Sequence, residues 1–237
     1  VEFVILFAAC TSSWAAVWEE RHLGSAGQTA VLEVELYRGI VRFHPGLRGE
    51  SATLKAALVS YDDYRPGDAI DALVRPLPKG VLELTSSPGT ARIAAPTLRD
   101  LVVVDLRAPA ATELRIHIVH YGEVTVEDAL GEVEVNLFQG LVDLRSIRGP
   151  AVVHIVRDGS IHARLTPPVA DSAMAFTTYE GDIVLEAPEA MAQRFQITSA
   201  RGVIHNEFET KDKAGPPAGE PILIRNAKGK IHVHPLR

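Results

Sequence analysis

Four glycines fall nine residues apart, at Gly122, Gly131, Gly140 and Gly149, and Gly159 follows ten further on. Each opens a short alternating phrase. The chain reads Gly-Glu-Val-Thr-Val from 122, Gly-Glu-Val-Glu-Val from 131 and Gly-Leu-Val-Asp-Leu from 140. The phrase returns as Gly181-Asp182-Ile183-Val184-Leu185, Gly202-Val203-Ile204-His205 and Gly229-Lys230-Ile231-His232-Val233. A fixed period with alternating apolar residues marks a repeat architecture. The unit here is a strand and a Gly turn. The expected fold is therefore all-β, a single-stranded β-solenoid (β-helix) of stacked coils of about 18–22 residues.

Strand side chains alternate between two faces, so the second and fourth residues after each Gly share one face. Those residues are Val124 and Val126, Val133 and Val135, Val142 and Leu144, Ile161 and Ala163, Ile183 and Leu185. All are aliphatic and suit stacking between successive coils. Thr125, Glu134, Asp143, His162, Val184, His205 and His232 take the outward position between them. One coil cannot bury its own apolar face, whereas stacked coils can. The extra residues of the longer coils fall in turn-like Thr166-Pro167-Pro168 and Ala187-Pro188-Glu189.

The period divides the chain. Residues 1–28 read as export leader and linker, and 29–237 as the β-solenoid domain. Within it, 29–110 is the irregular N-terminal part, whose poorer period also admits a sandwich for 30–110, and 111–237 carries the regular repeats. Residues 101–106 form a nearly continuous apolar run, expected as a strand buried on both faces. A strand is expected over 52–61, a loop over 62–71, and one helical turn at 189–194. Pro235, after the last strand, reads as a cap.

The net charge of −6 argues against nucleic acid, which needs a basic face. Cys10 is the one cysteine, which excludes an intramolecular disulfide and a four-thiol metal site. It ends an apolar run, Val1 to Ala9, that resembles the middle of an export signal and is too short to span a bilayer. Two processing routes fit. Phe7-Ala8-Ala9-Cys10 resembles a lipoprotein box and makes Cys10 the lipidation candidate; Ser13-Trp14-Ala15 fits cleavage before Ala16. The expected location is periplasmic, outer-membrane-attached or extracellular, with membrane contact only through a leader or lipid anchor.

From 101 onward the chain resembles a bacterial putative-adhesin domain family of unknown function, within a wider group of envelope β-solenoids. The resemblance rests on Leu101-Val102-Val103-Val104-Asp105-Leu106-Arg107-Ala108-Pro109 and the two Gly-Glu-Val phrases. Phe176-Thr177-Thr178-Tyr179-Glu180-Gly181 and Ile197-Thr198-Ser199-Ala200-Arg201-Gly202 carry it further. It implies a secreted or envelope-attached solenoid and supplies no catalytic residues.

No catalytic or cofactor constellation stands out. No Gly-x-Ser-x-Gly elbow, phosphate loop or dinucleotide fingerprint occurs. Among the nine histidines, His232 and His234 share a strand face, and His162, His205 and His232 share one phrase position. Val184 would separate the coils of His162 and His205, so no metal site is assigned to them. Glu123, Glu132, Glu134 and Asp143 read as a solvated face, since the dense Gly-Asp nonapeptide of calcium-binding solenoids is missing. The expected function is a non-enzymatic envelope scaffold or adhesin-like binding protein, with no cofactor and with an envelope protein or glycan as partner. The alternatives are a polysaccharide-lyase-like β-helix enzyme and a solenoid that stacks end to end into filaments.

Overall fold

The computed structural model describes residues 18–23, 30–47, 50–95, 99–167, 171–208 and 219–236. The expectations for Cys10, the cleavage site and most of the leader lie outside them. The strands, in chain order, begin with β1 (Glu19–His22), β2 (Val31–Gly46), β3 (Thr53–Val59), β4 (Glu83–Ser87) and β5 (Thr90–Ala95). Next come β6 (Leu101–Pro109), β7 (Glu113–Glu127), β8 (Val133–Ile147), β9 (Ala151–Leu165) and β10 (Met174–Glu180). The last are β11 (Ile183–Ala187), β12 (Phe195–Ser199), β13 (Val203–Asn206), β14 (Ile222–Lys228) and β15 (Lys230–Pro235). Short 3-10 turns at Ile70–Ala72 and Glu189–Arg194 complete the described elements. The second falls where the sequence predicts one helical turn.

The protein is all-β, and the 15 strands of the described residues form one large sheet that does not close into a barrel. The long strands β2, β7, β8 and β9 lie side by side in parallel and in register. Their partners differ along their length. The first half of β9 pairs with β10 and the second half with β11. The first half of β2 pairs with β5 and the second half with β6. The register shifts between the halves, at Ile118/Tyr121 and Leu137/Gly140. Two parallel ladders thus run through the molecule and share their central strands.

Glycine explains where the halves meet. Gly122 pairs with Gly140, and Gly140 with Gly159. A Cβ added to Gly140 would lie 1.8 Å from the Gly122 carbonyl oxygen, and Gly140 has φ +137°. Backbone approaches that close leave no room for a side chain. A second glycine column stands elsewhere: a Cβ on Gly149 would lie 2.1 Å from the Gly131 carbonyl oxygen. The nine-residue sequence period therefore divides into two columns, each recurring every second phrase.

Beside the first column runs a row of inward side chains. Leu36, Ile118, Leu137 and Ile155 are register partners in turn and are all buried. The row continues through Thr178, Asn226 and Ser199. There hydrogen bonds replace aliphatic packing: Thr178 Oγ1 donates to the Gly159 carbonyl at 3.2 Å and Asn226 Nδ2 to the Gly181 carbonyl at 3.3 Å. The main core follows the alternation read from the sequence, with Val124, Val126, Val142, Leu144, Ile183 and Leu185 at most 2% exposed. Each such aliphatic stabilises the fold by about 1.5–3 kcal/mol relative to an exposed position.

Strand order departs from chain order at both ends. The strands β14 and β15 insert between β10 and β12 and between β11 and β13. The row of His162 therefore runs His162, Val184, His232, His205. The expected separation holds and is wider: Val184 lies between His162 and His205, and His232 stands between Val184 and His205 as well. The same insertion removes the capping role of Pro235, because β15 is interior and β12 and β13 form the edge. At the other end, β2 lies between β7 and the later pair β5 and β6. The sequence hides these insertions because every phrase has the same alternation, so any one can stack on any other.

The irregular N-terminal part closes its end with antiparallel strands. β3 pairs with β6, β1 with β3, and β4 with β5. The β1 strand falls within the stretch read as leader and linker, and Leu23 after it is 5% exposed. As its apolar run predicts, β6 is buried on both faces. Val102, Val104 and Leu106 join the main core, while Leu101 and Val103 join a smaller cluster with Ile40, Val59, Tyr64 and Ile70.

Candidate functional site

The outward face of the second ladder carries rows of alternating charge. Along it His44 Nδ1 meets Glu127 at 3.0 Å, and Arg145 joins Glu127 at 2.9 Å to Asp143 at 2.7 Å. His162 lies between Asp143 and Glu186, at 3.3 Å from each. Further on, His232 Nε2 lies 2.7 Å from Glu207. Each partner comes from a neighbouring strand or the next position, because in-register parallel pairing stacks equivalent residues. These groups are part-exposed, so each pair contributes only about 0.2–1 kcal/mol. Their effect is to order a polar surface.

Of the histidines singled out by phrase position, the structure brings two together. His205 and His232 have ring centroids 5.9 Å apart, and His232 and His234 5.2 Å. His162 stands apart beside Val184. Among the described residues no group of three or more His, Cys, Asp or Glu is placed to hold a metal ion. An open concavity of about 410 Å3 lies over His205, Glu207, Lys230 and His232.

The acidic set does not behave as one solvated face. Glu123 is half-buried and accepts hydrogen bonds from Tyr64 Oη at 2.7 Å and Tyr121 Oη at 2.5 Å. Burial, reinforced by these bonds, pushes both phenols above the ordinary tyrosine value of 10.0. Tyr64 follows β3, so Glu123 fastens the stretch after β3 over the sheet, where Tyr64 and Ile70 cover Ile40, Leu101 and Val103. Alternation alone could not reveal this, because the partner is 59 residues away. Asp105 is also withdrawn from water. Burial raises its carboxyl, and Arg42 at 3.9 Å opposes the shift.

Fold and surface define an all-β protein whose polar groups are spread over long sheet faces, with an open concavity of about 310 Å3 over Glu33, Glu35, Arg92, Arg115, His117 and Glu134. No protein-family model matches the chain, and no curated protein sequence matches it. Among solved structures it is similar to a putative cell adhesion protein from Clostridium sporogenes, at 8% identity and a TM-score of 0.47. That match covers 92% of this chain and 99% of the other. It is also similar to a putative adhesin from Bacteroides fragilis, at 13% identity and a TM-score of 0.40, covering 92% of this chain and 97% of that one. Both neighbours are bacterial.

Proposed function

We propose that the chain is an exported β-solenoid that acts, without catalysis, as an adhesin-like binding scaffold of the bacterial envelope. Chain reach supports the solenoid. β7 and β8 are each 15 residues long and run parallel, yet residues 128–132 alone connect them. A straight strand of that length spans roughly 50 Å, and so short a link reaches only about 17 Å. On this reading each long strand folds back at its glycine and makes one coil with two arms. The ladders are then two faces of one stack, with the aliphatic rows between them.

The observation that carries the binding role is the continuous row of contacting basic and acidic side chains from His44 to Glu186. It is rigidly spaced by the ladder and open to a partner along its length. A lyase would need free charged groups gathered in one cleft around a sugar bond; on this face they are paired off along a row, and in the concavity over Arg92 and Arg115 both arginines are paired with glutamates. Repetition favours shallow, many-point contact.

The test uses beads coated with the full chain and isolated bacterial envelopes. Retention that free chain competes away supports the reading. No retention, together with cleavage of uronate polysaccharides by the soluble chain, would replace it with the lyase alternative. Intact-mass analysis of chain produced with its leader checks export. A diacylglyceryl mass on Cys10 or a start at Ala16 agrees with it, and an unprocessed cytosolic chain opposes it.

A further inference from the structure

The bends beside the glycine column carry a pattern that the row of basic and acidic side chains does not use. The residue following each inward corner side chain is Tyr37, Val119, Phe138, Val156 and Tyr179 in successive strands β2, β7, β8, β9 and β10. Aromatic and valine alternate. The bends of β7 and β9 hold one more residue than their neighbours, which is where the registers shift. Val119, Val156 and Tyr179 are 45%, 52% and 55% exposed, although large apolar side chains are normally covered. Tyr37 and Phe138 are part-buried, and His120, the extra residue of the β7 bend, sets its ring between them at 5.5 and 6.4 Å. The result is a narrow, largely apolar ridge across five strands.

Polar groups flank the ridge. Beside Tyr179 an open concavity of about 550 Å3 is lined by Arg157, Asp158, Ser160 and Glu180. The charges here are already matched: Arg157 meets Asp158 at 3.3 Å, and Lys228 meets Glu180 at 2.9 Å. At the other end Arg38 stacks on Tyr61 at 3.9 Å and donates to the Arg99 carbonyl. The site therefore offers aromatic faces and hydrogen-bonding groups with no excess charge.

We propose that this ridge binds a neutral, linear, β-1,4-linked polysaccharide, with Tyr179 as its principal stacking platform. The inference rests on the binding role proposed above and names its ligand class. Three features favour a glycan over a protein partner. A protein interface needs a broad apolar core ringed by polar residues, and so narrow a stripe cannot supply it. Sugar rings lay their C–H faces on aromatic rings and direct their hydroxyls to flanking carboxylates, amides and guanidinium groups. The period also matches: aromatics recur on every second strand, about 9–10 Å apart, and a two-fold β-1,4 ribbon presents the same face at every second sugar.

The test is calorimetric titration of the full chain with cellohexaose and with chitohexaose, the neutral hexamers of glucose and N-acetylglucosamine. Binding of either is expected, weakened at least tenfold by Tyr179→Ala and several-fold by Val156→Ser. Both positions are exposed, so both variants should melt with the unaltered chain. Binding that both variants leave unchanged overturns the proposal, as does binding of neither hexamer. Binding confined to a polyanion such as alginate overturns it too. If the Tyr179→Ala chain still adheres to envelopes and no hexamer binds, the ridge assignment fails alone. If hexamers bind through Tyr179 but envelopes are not retained, the envelope role fails.

Discussion

His232 lies next to His205 across a parallel pair of strands, ring centroids 5.9 Å apart, with the later residue on the inner strand. The C-terminal strands are inserted before the last phrase that precedes them in sequence. The edge is left to β12 and β13, where Val203 and Ile204 are 52% and 43% exposed. The opposite end is closed by antiparallel β3, β1 and β4. That antiparallel closure gives a parallel coil no ladder to continue, which opposes end-to-end stacking into filaments.

The insertion is testable by cross-linking. Neighbouring strands lie about 4.8 Å apart, within disulfide reach. In a Cys10→Ser background, His205→Cys with His232→Cys should oxidise readily to an intramolecular disulfide. Val184→Cys with His205→Cys should not, because β15 separates them. Mass spectrometry of peptides from oxidised, denatured chain reads the outcome. The reverse result would restore chain order.

Gly140→Ala should be among the most damaging single substitutions. The new methyl would meet the Gly122 carbonyl at 1.8 Å, and the residue would have to keep φ +137°. A loss of roughly 3 kcal/mol or more is expected, from strain at a special backbone position and a displaced ladder. Gly80→Ala is the control. It also has positive φ, at +79°, but nothing lies within 4 Å, so about 1 kcal/mol is expected. Urea unfolding of the two variants separates close approach from backbone preference.

Much of this architecture is legible in the sequence, and the reason is local. Alternation places Val142 and Leu144 inside and Asp143 outside, and the structure agrees. The apolar run of β6 announces burial on both faces. Strand order is not legible, because the phrase at 229 and the phrase at 202 carry the same pattern and stack equally well. The Glu123 clasp is hidden for another reason. Its partner Tyr64 arrives from an irregular stretch that no period describes. The ridge is written in the sequence as residues preceding each glycine. Only the register shows that Tyr37, Phe138 and Tyr179 alternate across the strands with Val119 and Val156.

The Glu123 clasp predicts a signature at alkaline pH. Tyr64 and Tyr121 are held above the ordinary value of 10.0 by burial and by donation to Glu123. A group whose folded pKa is raised contributes stability that is complete below its unfolded pKa and lost as pH rises above it. Stability should therefore fall above about pH 10. Absorbance at 295 nm should show two of the five tyrosines resisting ionisation until the chain unfolds. Tyr64→Phe should cost on the order of 1 kcal/mol at pH 7, reduce the resistant tyrosines to Tyr121, and loosen amide protection after β3. A titration in which all five ionise together while folded would refute the clasp.

Asp105 offers the opposite experiment, a substitution that should stabilise. Its carboxyl is raised by burial, Arg42 is only 3.9 Å away, and Oδ1 has no hydrogen-bond partner. Burial therefore disfavours the charged form. The folded pKa exceeds the unfolded one, so this group's contribution is favourable only in acid and is lost as pH rises through the folded value. Asp105→Asn keeps the shape and removes the charge. It should leave stability at pH 3 nearly unchanged and raise it at pH 7 by on the order of 1 kcal/mol. Urea midpoints at the two pH values give the comparison. A loss at pH 7 would mean that attraction to Arg42 outweighs burial.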